Sequence, residues 1–189
     1  MSTIRLTDAA KHYEALPHQI AAWNALQGQL TPEQLSDFAE LYRAASSGAQ
    51  DPFRPSSPFS YKLTPSITYG ELTLQSEARR FKYQYQCNTA LFLCQFAQKA
   101  RDYFRKPIII TSGYRPPAIN LSVGGSSQSE HLYNAPDKGA IDWYLDGVSV
   151  YTLQRWADKE WPYSLGYGAP KGFIHQGIRP GKPRVRWDY

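Results

Sequence analysis

At 189 residues, 42% apolar and 20% charged, the chain has the size and composition of one globular domain with a small appendage. No run approaches the ~18 apolar residues of a membrane span, and no basic-then-apolar leader opens the sequence. The formal charge of +5 is uneven: residues 1–45 hold three basic and five acidic groups, so +7 falls on the remainder. That balance favours anionic partners.

Residues 3–43 read as three short helices. Thr7 caps a segment with Ala9, Tyr13 and Leu16 at helical spacing, and Pro17 opens a second carrying Ile20, Trp23 and Leu26. Thr31-Pro32-Glu33-Gln34 starts a third with a capping Thr, Pro at the first helical position and Gln three residues after the cap. The expected organisation is therefore an N-terminal three-helix segment over 1–45. A stiff Pro/Ser-rich connector follows over 46–66, with Pro52, Pro55, Pro58 and Pro65, and a main domain spans 67–189.

In the main domain a long helix begins near Gln84 and puts Leu93, Phe96, Ala97, Ala100 and Phe104 on one face. Cys87 and Cys94 lie on it seven residues apart, ~10 Å along a helix, too far for a disulfide. They are expected as buried reduced thiols, as in a protein made in a reducing cytosol. Ile108–Thr111 reads as a buried strand. From Ala140 to Leu145 the chain alternates, with Ile141, Trp143 and Leu145 facing one way and Asp142 and Tyr144 the other. A helix over 149–160 and strands over 173–176 and 185–189 complete the chain. Helices and short strands without a βαβ rhythm predict an α+β fold, a small antiparallel sheet with flanking helices.

Three short stretches carry the chemistry: Ser129-Glu130-His131, Gly139-Ala140-Ile141-Asp142 and Gly172-Phe173-Ile174-His175. Imidazole and carboxylate together suit zinc, which in catalytic sites keeps three protein ligands and one open position. Two cysteines are too few for a thiolate site, so a metal would rest on His and carboxylate. The basic residues form no helix-turn-helix or zinc-finger pattern, and nucleic acid is not expected as a partner.

With Ile109-Ile110-Thr111-Ser112-Gly113-Tyr114-Arg115, Asn120 and Val123-Gly124-Gly125, these stretches make an ordered set over about residues 85–189. The set resembles the zinc D-alanyl-D-alanine carboxypeptidases and related bacteriophage endolysin peptidases, which share a fold with the hedgehog signalling domain. The resemblance implies zinc held by His131, Asp142 and His175, with Ser129 and Arg115 in the catalytic site. It implies hydrolysis of bonds involving D-amino acids in peptidoglycan by zinc-activated water, after release or export from the cytoplasm by a route the sequence does not name. The chain departs from the family in two places. Asn134–Lys138 is an insertion between the first two ligands. Gly172 and Gly177 stand where relatives carry an acid, three residues before or two after the last histidine. Asp137, on the inserted loop, is the candidate replacement. Glu130 is not expected to serve, because neighbours on an extended segment point apart. The alternative function is a zinc-containing module that binds cell wall or a partner with weak or no catalysis.

Overall fold

The protein is described here from a computed structural model, which covers Thr31 and residues 52–189. The expected helices within 3–43 lie outside the described residues, apart from Thr31. The fold is α+β. A hairpin of β1 (Lys62–Thr64) and β2 (Ile67–Thr68) leads into the short helix α1 (Tyr69–Thr73). A capping box starts α1: Thr68 Oγ1 accepts from Glu71 N, and the Glu71 carboxylate accepts from Thr68 N. The long helix α2 (Gln84–Phe104) follows. Next come β3 (Ile108–Ser112), α3 (Pro117–Ser122), β4 (Gly139–Leu145), α4 (Val150–Glu160), β5 (Ser164–Tyr167), β6 (Ile174–Ile178) and β7 (Arg186–Asp188).

The main sheet has the order β3-β4-β6-β5-β7. Its pairings are antiparallel except at the edge, where β7 runs parallel to β5. One face of the sheet is the core. Ile110, Ile141, Trp143, Leu165 and Ile174 are buried there, joined by Leu93 and Ala97 from α2 and by Leu153 and Ala157 from α4. Phe96 of α2 meets Trp156 of α4 at 5.2 Å and Trp161 at 4.7 Å between ring centroids, so both helices cover the same side. One polar chain crosses this core. Trp143 Nε1 donates to Gln176 Oε1 at 2.9 Å, and Gln176 Nε2 donates to Leu93 O at 3.2 Å, leaving the buried amide satisfied. Cys87 and Cys94 are buried and unpaired, as the helical spacing requires.

Two elements differ from the sequence reading. Residues 52–66 are part of the folded unit, which begins at Pro52. Phe53 and Leu63 are buried, and the Phe53 ring packs on Tyr61 at 5.1 Å and edge-on to Tyr69 at 4.9 Å. The prolines there separate apolar anchors and turn the chain between them. Strand β3 alternates instead of being buried throughout, and Ile109 is 39% exposed between buried Ile108 and Ile110. As the edge strand opposite β7, β3 is covered on one face only. Among the described residues no helix is long and apolar enough to cross a membrane.

Candidate metal centre

The sheet face opposite the core carries the site, and its geometry begins with register. Asp142 of β4 sits directly across from His175 of β6, and both side chains leave the sheet on the same side. Their neighbours Ile141, Trp143, Ile174 and Gln176 point into the core. The third member arrives from outside the sheet, on a 3₁₀ turn over Glu130–Leu132. Ser129 caps this turn, its Oγ accepting from His131 N at 3.3 Å, and Tyr133 closes it in the left-handed region at φ 46. Arg115 N donates to His131 O at 2.8 Å, tying the turn to the segment after β3.

His131, Asp142 and His175 converge, buried, with one ligand atom from each within 4.8 Å of the others. His131 Nε2 lies 3.1 Å from Asp142 Oδ2 and 3.2 Å from His175 Nδ1, and His175 Nδ1 lies 2.7 Å from Asp142 Oδ1. Ligand bonds of ~2.0–2.1 Å in a tetrahedron give edges of about 3.3 Å, so the spacing suits a small divalent ion such as zinc. The outer nitrogens are also engaged: His131 Nδ1 bonds Gly113 O at 2.7 Å, and His175 Nε2 bonds Glu130 Oε2 at 2.9 Å. Each outer N–H has an acceptor, leaving the inner lone pair for a cation, as in metal-binding histidines generally.

The electrostatics of the cluster follow the same contacts. Burial opposes charge on His175, but bonds to the Asp142 and Glu130 carboxylates outweigh it and raise its pKa to about 9. Burial lowers His131 despite its contact with Asp142. Asp142 is held well below the carboxylate range, because the two imidazoles outweigh its burial. Glu130 is lowered too: burial would raise it, and bonds from His175, Arg179 and Ser164 overcome that.

A cavity of about 900 Å³ adjoins the cluster, and of the three residues His175 lines it. Arg115, Lys138, Lys171 and Arg179 line it, Glu130 is the only acid among its lining residues, and Trp187 and Tyr189 form an aromatic wall. The rings of Trp187 and Tyr189 stand 5.2 and 5.4 Å from His175. Arg115 Nε is buried without a partner, a donor left for an incoming acceptor.

Of the residues singled out from sequence, His131, Asp142 and His175 come together, and Ser129 and Arg115 line the same cavity. Asp137 does not line it. Its side chain is 60% exposed and faces Lys182 Nζ at 3.8 Å. Sequence reasoning missed Glu130, Ser164, Arg179, Trp187 and Tyr189. Glu130 was set aside on the assumption of extended backbone. A 3₁₀ turn places successive residues about 120° apart, so Glu130 and His131 both reach inward. The overlooked signal was Gly177: glycine inside a strand often marks a close approach by another group.

A buried His–Asp–His cluster carried by an α+β sheet, with His175 lining a cationic cleft, is a candidate metal centre. A family model described as Peptidase M15 matches residues 65–177, and the chain belongs to that family of metallopeptidases. No curated protein matches the chain. The matched segment ends before Arg179, Trp187 and Tyr189, so part of the cavity wall lies outside the family's shared region.

Proposed function

We propose that this chain is a zinc peptidase that hydrolyses bonds involving D-amino acids in the stem peptides or cross-links of peptidoglycan. The observation that carries the reading is the donor set: two imidazoles and a carboxylate with both outer ring nitrogens already bonded, and with His175 lining a substrate-sized cleft. His131, Asp142 and His175 would hold zinc, and the ion would supply a water of lowered pKa and a Lewis acid for the scissile carbonyl. The protein's own groups do the rest. Arg115 lines the cleft and keeps a buried Nε–H without a partner, and its planar guanidinium suits a substrate carboxylate or a developing oxyanion. Lys138 and Lys171 add positive charge along the path of an anionic stem peptide. Ser129 fixes the His131 turn through its Oγ. The chain meets the wall after release or export.

A second reading, a zinc-bearing wall-binding module with weak or no catalysis, is favoured by one observation. Gly172 and Gly177 offer no acid, and Asp137 is turned toward Lys182. Incubating zinc-loaded protein with purified peptidoglycan and identifying fragments by mass separates the two. New stem-peptide fragments, abolished by His175→Ala together with its zinc, support the peptidase. Tight pelleting with the wall and no fragments supports the module. Full zinc stoichiometry in His175→Ala would refute the proposed cage.

A further inference from the structure

Glu130 is 4% exposed, beside a proposed ligand, and both its oxygens are engaged. Oε2 accepts from His175 Nε2 at 2.9 Å. Oε1 accepts from Ser164 Oγ at 2.8 Å and from Arg179 Nε. The space it occupies belongs, by the geometry of the sheet, to another residue. Gly177 lies two positions beyond His175 on the same face of β6, and a Cβ built there would fall 1.9 Å from Glu130 Oε2 and 2.8 Å from its Cδ. A side chain at 177 and the Glu130 carboxylate therefore exclude one another. Gly177 is paired with Ala140 on one side and Ser164 on the other, so small residues flank it across the sheet.

We propose that Glu130 is the positioning residue of the metal centre: it orients His175 by accepting from Nε2, from space that only a glycine at 177 leaves open. The inference rests on reading His131, Asp142 and His175 as a metal site. The contact lies on the far side of the imidazole from Nδ1, the nitrogen that faces His131 and Asp142. With one oxygen on the outer nitrogen and the other held by Ser164 and Arg179, Glu130 acts through His175. It fixes the tautomer that leaves Nδ1 unprotonated on metal binding, holds the ring plane, and makes the nitrogen ligand more basic. Arg179 and Ser164 in turn hold the carboxylate, and Arg179 partly neutralises it within a buried site. Asp or Glu introduced at 177 would thus not add a missing acid but collide with one already present.

The test is zinc affinity of the full-length chain, measured by competition with a chromophoric chelator at fixed pH, alongside the melting temperature of the metal-free protein. Glu130→Gln keeps size and shape but loses charge, and Glu130→Ala removes the acceptor. Loss of such an outer partner weakens metal binding roughly 10–100-fold, and both variants are expected in that range. Arg179→Ala leaves the His175 contact in place and is expected to weaken zinc less than Glu130→Ala does. Gly177→Asp alone forces the collision and is expected to lower both zinc affinity and melting temperature. Combined with Glu130→Ala, it returns a carboxylate to the same space, and zinc affinity is expected to recover at least fivefold over Glu130→Ala. A purely structural Glu130 would lower the melting temperature equally in the Glu130 and Arg179 variants without a selective loss of zinc; that result overturns the inference. Wild-type affinity within twofold in Glu130→Gln overturns it as well, and stands even if Glu130→Ala fails to fold. Tight zinc that depends on Glu130, without wall hydrolysis, would sink the peptidase reading and leave this one intact. A wild-type chain that binds no zinc removes both.

Discussion

Replacing Arg186 with Ala tests how the C-terminal wall of the cleft is held. Strand β7 is three residues long and, among the described residues, pairs with β5 alone. Beyond the β5–β7 ladder, Leu165 N donates to Val185 O at 2.9 Å, and Tyr189 N donates to Tyr167 O at 3.3 Å. The Arg186 side chain is 13% exposed and reaches away from the cleft. It donates to the Asp158 carboxylate and main-chain oxygen, to Trp161 O at 2.6 Å, to Tyr163 O and to Val185 O at 2.9 Å. Hydrogen bonds from a charged donor are worth ~1.5–3 kcal/mol each, but the freed oxygens near the surface regain water. A net loss of about 2 kcal/mol is therefore expected, and it falls on the docking of β7, since the core-forming strands do not depend on it. That corresponds to roughly thirtyfold more of the undocked state. Hydrogen exchange is the assay: the Leu165 and Tyr189 amides should exchange about thirtyfold faster in Arg186→Ala, while Ile141 and Trp143 in β4 keep their protection. Zinc affinity should change little, because the proposed ligands come from β4, β6 and the 3₁₀ turn. Uniformly faster exchange across β4 and β6, or no change at β7, would refute the assignment of Arg186 as a local tether.

Three further outcomes are expected. The thiols should be inert in the native state: burial pushes Cys87 up to about 12 and Cys94 higher still, so a thiol reagent at pH 8 should find none until denaturant exposes both. Asp158 is held below its usual range, chiefly by its bond to Arg186. A carboxyl depressed in the folded state stabilises above its unfolded pKa of ~3.9 and loses that contribution as pH falls through the lower folded value. The melting difference between wild type and Asp158→Asn should accordingly be present at pH 7 and disappear in strong acid. A fragment of residues 52–189 should fold and bind zinc, whereas 67–189 lacks buried Phe53 and Leu63. At ~1.5–3 kcal/mol for each buried apolar side chain, the shorter fragment should be at least ~3 kcal/mol less stable in denaturant titrations.

Much of this fold was legible because it obeys simple periodicities. The apolar spacing of α2 and the alternation of Ile141, Trp143 and Leu145 against Asp142 both hold in the structure. What escaped was set by contacts distant in sequence. Strand β5 is Ser-Leu-Gly-Tyr, with no branched run to announce it, and it exists because β6 and β7 pair on either side. The β1–β2 hairpin lies among prolines that looked like a connector, and its anchor Phe53 is recognisable only against Tyr61 and Tyr69. Glu130 was legible as a residue beside a histidine, but its direction depended on a 3₁₀ turn held by Ser129 and closed by Tyr133. Ser164 and Arg179, 34 and 49 residues away from it, have no local signature of that partnership.

The division of labour between the two faces of the sheet explains why the site tolerates so many large groups. Along one register row run Ser112, Asp142, His175, Gly166 and Trp187, and along the next Ala140, Gly177 and Ser164. The same strands turn Ile141, Trp143, Leu165 and Ile174 to the core, where bulk is needed. On the chemical face the middle positions are small, and the resulting trough admits side chains from segments outside the central strands. At Gly177 the visitor is Glu130. At Gly166 a Cβ would lie 2.8 Å from the Tyr189 ring and 3.0 Å from that of Trp187, so the visitors are the aromatic wall. The two glycines thus serve separate halves of the site. Bulk at 177 strikes the support behind His175, whereas bulk at 166 pushes back the wall that narrows the cleft. A strand-period pattern that looks weak on one face, with Gly, Ala and Ser where branched residues would raise strand propensity, marks the face on which the chemistry is assembled.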